Sequence, residues 1–158
     1  MAKPTVRSIR PALAYVPAGL TIVDVERMSR AFTKYHLSDG RALHRFRAAE
    51  PHADPHDHPW SFETEILEGG YVEEAFHLNE TGGWRSEVIH RSPYTMHHIA
   101  AEHIHRIVEL PQEQCWTLVR AGRHDRRVRF WRFGDNGVRS RAWNERRWIS
   151  PGALSTRR

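Results

Sequence analysis

At 158 residues, with 39% apolar and 27% charged residues, the chain has the composition of one globular domain that buries roughly 70% of its unfolded surface. No run approaches the ~18 apolar residues of a membrane span, which excludes a helical membrane protein. The net charge of +5 is carried by the C-terminal quarter, where from Arg120 onward a dozen arginines face only Asp125, Asp135 and Glu145.

In chain order, Pro11 to Met28 holds two β-prone runs, Ala12 to Val16 and Leu20 to Val25, separated by Pro17-Ala18-Gly19; this reads as a strand or hairpin. The segment Val25 to Leu37 is the one helix the periodicity admits. After a turn at Asp39-Gly40, Ala42 to Ala48 reads as a strand, and Glu50 to Pro55 as a loop. A strand follows from Trp60 to Leu67, ending at Gly69-Gly70. Beyond it come short strands at Tyr71 to Leu78, Trp84 to His90, Tyr94 to Ile99, Ile104 to Leu110, Trp116 to Ala121 and Val128 to Phe133, with a turn at Asp135-Asn136-Gly137. Short strands at this spacing predict an all-β sandwich or barrel. Residues 1–158 form a single domain on this reading, with 1–10 and 150–158 as loose termini and the segment beyond Arg141 as an arm over the barrel.

The N-terminus lacks a charged-then-apolar signal pattern, and Cys115 is the only cysteine, so no intramolecular disulfide forms and the cytoplasm is the expected compartment. Trp131, Trp143 and Trp148 interleave with the C-terminal arginines. That segment reads either as a solvated basic face or as a surface for phosphate, with the indoles as stacking platforms.

Chemistry concentrates in the histidines. Twelve are present, clustered as His52, His56 and His58, then His97 and His98, then His103 and His105. In an extended strand alternate side chains share a face and rise about 3.3 Å per residue, so His56 and His58 can converge on one ion. Asp57 then points the other way, as a turn or supporting group. Glu63 and Glu65 share one face of the following strand. If that face is the interior, Glu63 is a further ligand and Glu65 a candidate general base; if it is solvent, Thr64 and Ile66 line the pocket and the site is three histidines only. Trp60, Phe62, Tyr71, Trp116 and Trp131 read as core, and Cys115 as a buried small hydrophobe.

The spacing of His56, His58, Glu63 and Gly70 resembles the first sequence motif of the cupin superfamily, although Glu50 stands where that motif opens with Gly. A more particular likeness is to small bacterial and phage-type cupins, carried by His56 to Trp60, Gly69 to Tyr71, His105 to Leu110 and Trp116 to Leu118. The resemblance implies a double-stranded β-helix, or jelly-roll barrel. It also implies a third histidine returned by a later strand about twelve residues after a Pro, an offset that Pro93 and His105 match. His103 shares the parity of His105 and is the fallback, and His98 with Glu102 fits another register. The implied metal ligands are thus His56, His58, Glu63 and His105, with Glu65 as the catalytic residue. The implied cofactor is one divalent transition metal, and imidazole suits Fe(II), Zn, Ni or Mn alike. A metalloenzyme of dioxygenase or isomerase/lyase type, acting on a small-molecule substrate and assembled as a homodimer, is the expected function. The alternative is a non-catalytic jelly roll that binds a ligand, a partner or nucleic acid through its arginine-rich C-terminus.

Overall fold

The structure, a computed structural model, describes residues 4–151. Eleven strands occupy most of them: β1 (Ile22–Arg27), β2 (Phe32–Leu37), β3 (Ala42–Phe46), β4 (Phe62–Glu68), β5 (Tyr71–Leu78), β6 (Trp84–Arg91), β7 (Met96–Ile99), β8 (Ile104–Glu109), β9 (Cys115–Ala121), β10 (Arg129–Gly134) and β11 (Gly137–Ala142). Ahead of them lie a one-turn helix α1 (Val6–Ile9), capped by the Thr5 hydroxyl, and a 3-10 helix (Arg10–Tyr15). No helix among the described residues is long and apolar enough to cross a membrane.

The strands form two antiparallel sheets. The first has the order β1-β2-β3-β9-β4-β7. The second is assembled from β6-β5-β8 and the hairpin β10-β11, joined by the backbone of His56, which bridges to His105 on β8 and to Phe130 on β10. From Pro55 onward the chain passes repeatedly between the two sheets, the connectivity of a jelly-roll barrel. The all-β fold expected from the strand rhythm is therefore the fold observed. Gly69 and Gly70, both at positive φ, make one such crossing, and a Cβ on Gly69 would overlap the Gln114 carbonyl.

Three apolar clusters follow from the alternation of side chains. On the outer face of the first sheet, Tyr35, Leu37, Leu43, Trp116 and Leu118 pack under Ala12 of the 3-10 helix, and Tyr15 stacks on Trp116 at 4.4 Å. Between the sheets, Ile66, Tyr71 and Cys115 meet Phe46, Ile107 and Leu110. Burial pushes the Cys115 thiol up to about 12, so it behaves as the expected hydrophobe. The outer face of the second sheet holds Phe76, Ile104, Trp131 and Val138.

Two expectations fail in the first forty residues. Val25 to Leu37 is no helix; it is the β1-β2 hairpin, turned at Ser29, whose hydroxyl accepts from the amides of Ala31 and Phe32. Ala12 to Val16 is not a strand, because Pro11 starts a 3-10 turn that lays Ala12 and Tyr15 onto the sheet. The strand β11 went unpredicted, and it extends the Asp135-Asn136-Gly137 turn into a hairpin. Of the termini expected to be loose, Val6–Ile9 is helical, while residues 1–3 and 152–158 lie outside the described residues.

Candidate metal centre

The segment from Pro55 to His58 is held between two strands by its backbone. The His56 amide and carbonyl exchange hydrogen bonds with His105 at 3.0 Å each, the Asp57 amide donates to the Arg129 carbonyl, and the Trp131 amide donates to the Pro55 carbonyl. Asp57 faces away from the histidines, as its parity requires, and is 1% exposed. Its Oδ1 accepts from the Arg129 amide at 2.7 Å, and its Oδ2 accepts from Arg126 at 2.9 Å and from the Trp131 indole at 3.1 Å. Burial raises its carboxyl pKa, and these donors pull it back without cancelling the rise. Asp57 thus clips the segment to β10.

With the backbone fixed in this way, His56 and His58 turn into the barrel, where β8 presents His105. One ring nitrogen from each of the three lies within 4.8 Å of the other two. The Nε2 atoms of His58 and His105 are 3.1 Å apart, close to the ~3.3 Å expected between two imidazoles bound at 2.0–2.1 Å to one tetrahedral ion. His105 is 8% exposed, and His56 and His58 are half-buried.

Glu73 on β5 orients the third imidazole of this group. Its side chain is fully buried, and its Oε2 accepts from His105 Nδ1 at 2.7 Å. A carboxylate can only accept, so His105 carries a proton on Nδ1 and its Nε2 is the atom that faces His58. The Oε1 atom accepts from His103 Nε2 at 2.9 Å and from Arg91 at 2.8 Å. Burial works to raise the Glu73 pKa, but the hydrogen bonds and charges of His103 and His105 outweigh it and hold the carboxyl far below its usual range. His56 is lowered to about 3, first by burial and then by the neighbouring His105 and His103, and His58 falls in the same direction for the same reason. Neutral imidazoles with inward lone pairs are the form that ligates a cation. The buried His58 Nδ1 has no partner among the described residues. This donor set fits a divalent transition ion, held by His56, His58 and His105, with Glu73 orienting the third imidazole.

The expected carboxylates do not join it. Glu63 is exposed, and Glu65, paired with Met96 and Leu118, shares its face of β4, while the alternate positions Thr64 and Ile66 are buried. The reason is phase. His58 and Phe62 touch inside the barrel at 5.0 Å between ring centroids, so the even-numbered residues stay inward through the Pro59 bend and the odd-numbered carboxylates go outward. Neither the ligand role expected of Glu63 nor the base role expected of Glu65 is available in this geometry. His103 does not replace His105 but flanks it on the far side of Glu73. His98 is exposed, and His97 hydrogen-bonds Thr95 and Arg91.

Glu73 was missed in the sequence. The signal it left was an acid at the parity of Tyr71 and Ala75, both of which are buried, next to a second acid, Glu74, on the opposite face.

Several arginines of the C-terminal quarter are engaged within the protein. Arg126 and Arg129 serve Asp57, and Arg132 pairs with Asp54 and lies 4.0 Å over the Trp148 ring. Arg141 covers Phe130 and Trp148 and donates to the carbonyls of Trp143 and Glu145. The interleaved tryptophan Trp148 therefore stacks on the protein's own guanidinium groups.

No protein-family model and no curated protein matches the chain. Among solved structures, the polyketide cyclase RemF from Streptomyces resistomycificus is similar at 19% identity over 85% of this chain and 89% of its own, with a TM-score of 0.45. A sugar phosphate isomerase from a cupin superfamily, from Silicibacter pomeroyi, is similar at 14% identity over 77% of this chain and 78% of its own, with a TM-score of 0.44. Hydroxypropylphosphonic acid epoxidase from S. wedmorenis is similar at 7% identity over 66% of this chain, with a TM-score of 0.48, and this chain spans 56% of its length. At these similarities any functional reading has to come from the site's own geometry.

Proposed function

We propose that this chain is a cupin-type barrel that binds one divalent transition metal through His56, His58 and His105 and acts on a small molecule at that ion. The observation that carries the reading is the convergence of three imidazoles, one ring nitrogen from each within 4.8 Å of the other two, with the third fixed through Nδ1 by a fully buried carboxylate. Three nitrogen ligands leave open coordination positions, and the ion would supply Lewis-acid or dioxygen chemistry there. The protein's own contribution is to hold these imidazoles aimed, through Glu73 on one side and the Asp57 clip on the other. Enzymatic action of dioxygenase or isomerase/lyase type belongs to this proposal, as does assembly into a homodimer. Glu63 and Glu65 have no part in it.

The test is elemental analysis of the purified full chain after loading with Fe(II), Zn, Ni or Mn in turn. The parent should retain about one ion per chain with at least one of them, His56→Ala and His105→Ala should lose it, and His98→Ala should not. Equal metal content in the parent and in His56→Ala refutes the assignment.

A further inference from the structure

Four further arginines, all from the first fifty residues, share one cleft. On the outer face of the first sheet, beside the apolar cluster that the 3-10 helix covers, a cavity of about 400 Å3 is walled by Arg7 of α1, Arg27 of β1, Arg45 of β3 and Arg47 just beyond it, with Thr33 and Tyr35 of β2 between them. The strand register explains the convergence. Arg27 pairs with Thr33, and Thr33 with Arg45, so the two arginines flank Thr33 in one row across three strands, about 9.5 Å apart at the backbone. Arg47 follows Arg45 at the same parity, and α1 brings Arg7 over the row. Four cations therefore meet from three places in the chain.

The described residues lining this cleft include no carboxylate, and none of the four arginines forms an ion pair with a described residue. Their internal contacts are weak or incomplete. Arg45 reaches the Gln114 side chain at 3.4 Å and leaves a buried Nε without a partner. Arg47 is held by the Arg30 carbonyl and the Thr33 hydroxyl, which aims a charged group without neutralising it. Like charges gathered on neighbouring strands repel and cost stability unless an anion joins them. Arg45 also lies 5.4 Å from the Trp116 ring centroid, which leaves its charge without a counter-ion, whereas Arg126 and Arg132 of the C-terminus have Asp57 and Asp54 as counter-ions.

We infer that this cleft, where Arg7, Arg27, Arg45 and Arg47 converge beside Thr33, is a binding site for the phosphate group of a small phosphomonoester. Guanidinium forks match the geometry of phosphate oxygens, and the hydroxyls of Thr33 and Tyr35 add neutral donors. The volume is that of a small-molecule site. The site lies on the outer face of the first sheet, whereas the histidines face the barrel interior, so its occupancy does not depend on the metal reading.

The experiment is calorimetric titration of the full chain at low salt with three probes: inorganic phosphate, adenosine 5′-monophosphate and a single-stranded oligonucleotide. The expected result is saturable binding of phosphate and of the monophosphate, weakened about tenfold by Arg7→Gln and by Arg27→Gln, both exposed and free to change without unfolding the protein. Arg139→Gln/Arg146→Gln should bind like the parent. Absence of saturable binding of the two small probes overturns the inference, as does equal weakening by the C-terminal variant. Tighter binding of the oligonucleotide than of the monophosphate, with a log-log salt slope of several contacts, overturns the small-molecule assignment and gives the surface to nucleic acid.

Discussion

Replacing Asp57 by Asn tests whether the clip that positions His56 and His58 rests on a carboxylate. The substitution keeps the shape of the side chain and one acceptor oxygen. In the parent, Oδ1 serves the Arg129 amide while Oδ2 serves both Arg126 and the Trp131 indole. An amide group must place its NH2 on one side or the other, so either the Arg129 amide or the indole meets a donor in place of an acceptor. Leaving one such buried group unsatisfied costs about 1–3 kcal/mol, and loss of the Arg126 pair raises the total to about 3–5 kcal/mol. For a chain of this size that corresponds to a drop in Tm of roughly 6–20 °C. Thermal unfolding followed by far-UV circular dichroism measures it. The structure makes a second demand, that metal affinity should fall as well, because the flanking histidines lose the anchor between them. A variant with an unchanged Tm would refute the idea that Asp57 holds the segment. A large Tm drop with unchanged metal retention would refute the link from the clip to the site.

Glu73→Gln should weaken metal retention by about 10–100-fold, since the His105 tautomer is no longer dictated by an acceptor-only partner; competition with a chromophoric chelator reads it. His44 is lowered to about 3, by burial first and then by Lys34 and His36, so it is neutral when folded and takes up a proton on unfolding below pH 6.5. Its stabilising contribution is full above pH 6.5 and is lost as the pH falls towards 3, at up to about 1.4 kcal/mol per pH unit, and urea titrations of His44→Gln at pH 7 and pH 5 should show a correspondingly shallower loss. Gly69→Ala should cost at least about 2 kcal/mol, because it adds a Cβ at positive φ against the Gln114 carbonyl; a stability unchanged in denaturant would contradict that crowding. Arg141→Gln should destabilise by about 1 kcal/mol through the lost stacking on Phe130 and Trp148, whereas Arg146→Gln should stay within about 0.5 kcal/mol in the same denaturant titration.

From β4 to β10 the strands were legible because turns punctuate them and most bury one face. Phe32 to Leu37 was not, and the reason is physical: Thr33, Tyr35 and Leu37 are buried on one face while Phe32, Lys34 and His36 are half-buried on the other, so no clean polar alternation survives. His56 and His58 were legible as a pair because two residues are one strand repeat. For Glu63 the sequence left two faces open, because the family spacing points inward while its odd separation of five residues from His58 points outward, the face on which the strand places it. Glu73 shows the opposite failure. A buried carboxylate looks like a surface one in a sequence, and only the partners delivered by β6 and β8, Arg91, His103 and His105, reveal what neutralises it.

The bridging role of His56 has a consequence for local opening. The second sheet is continuous only because one short segment pairs with β8 on one side and β10 on the other. Loosening that segment would separate a three-stranded sheet from a two-stranded hairpin, so the histidine-bearing backbone cannot fray independently in the way a surface loop does. The amide protons of His56 and His105 should therefore exchange with deuterium only in openings that also expose the amide of Trp131, whose acceptor is the Pro55 carbonyl. The histidine site and the seam of the barrel then form one cooperative unit, in which an ion bound to the three imidazoles would resist the parting of the sheet as much as it would serve chemistry.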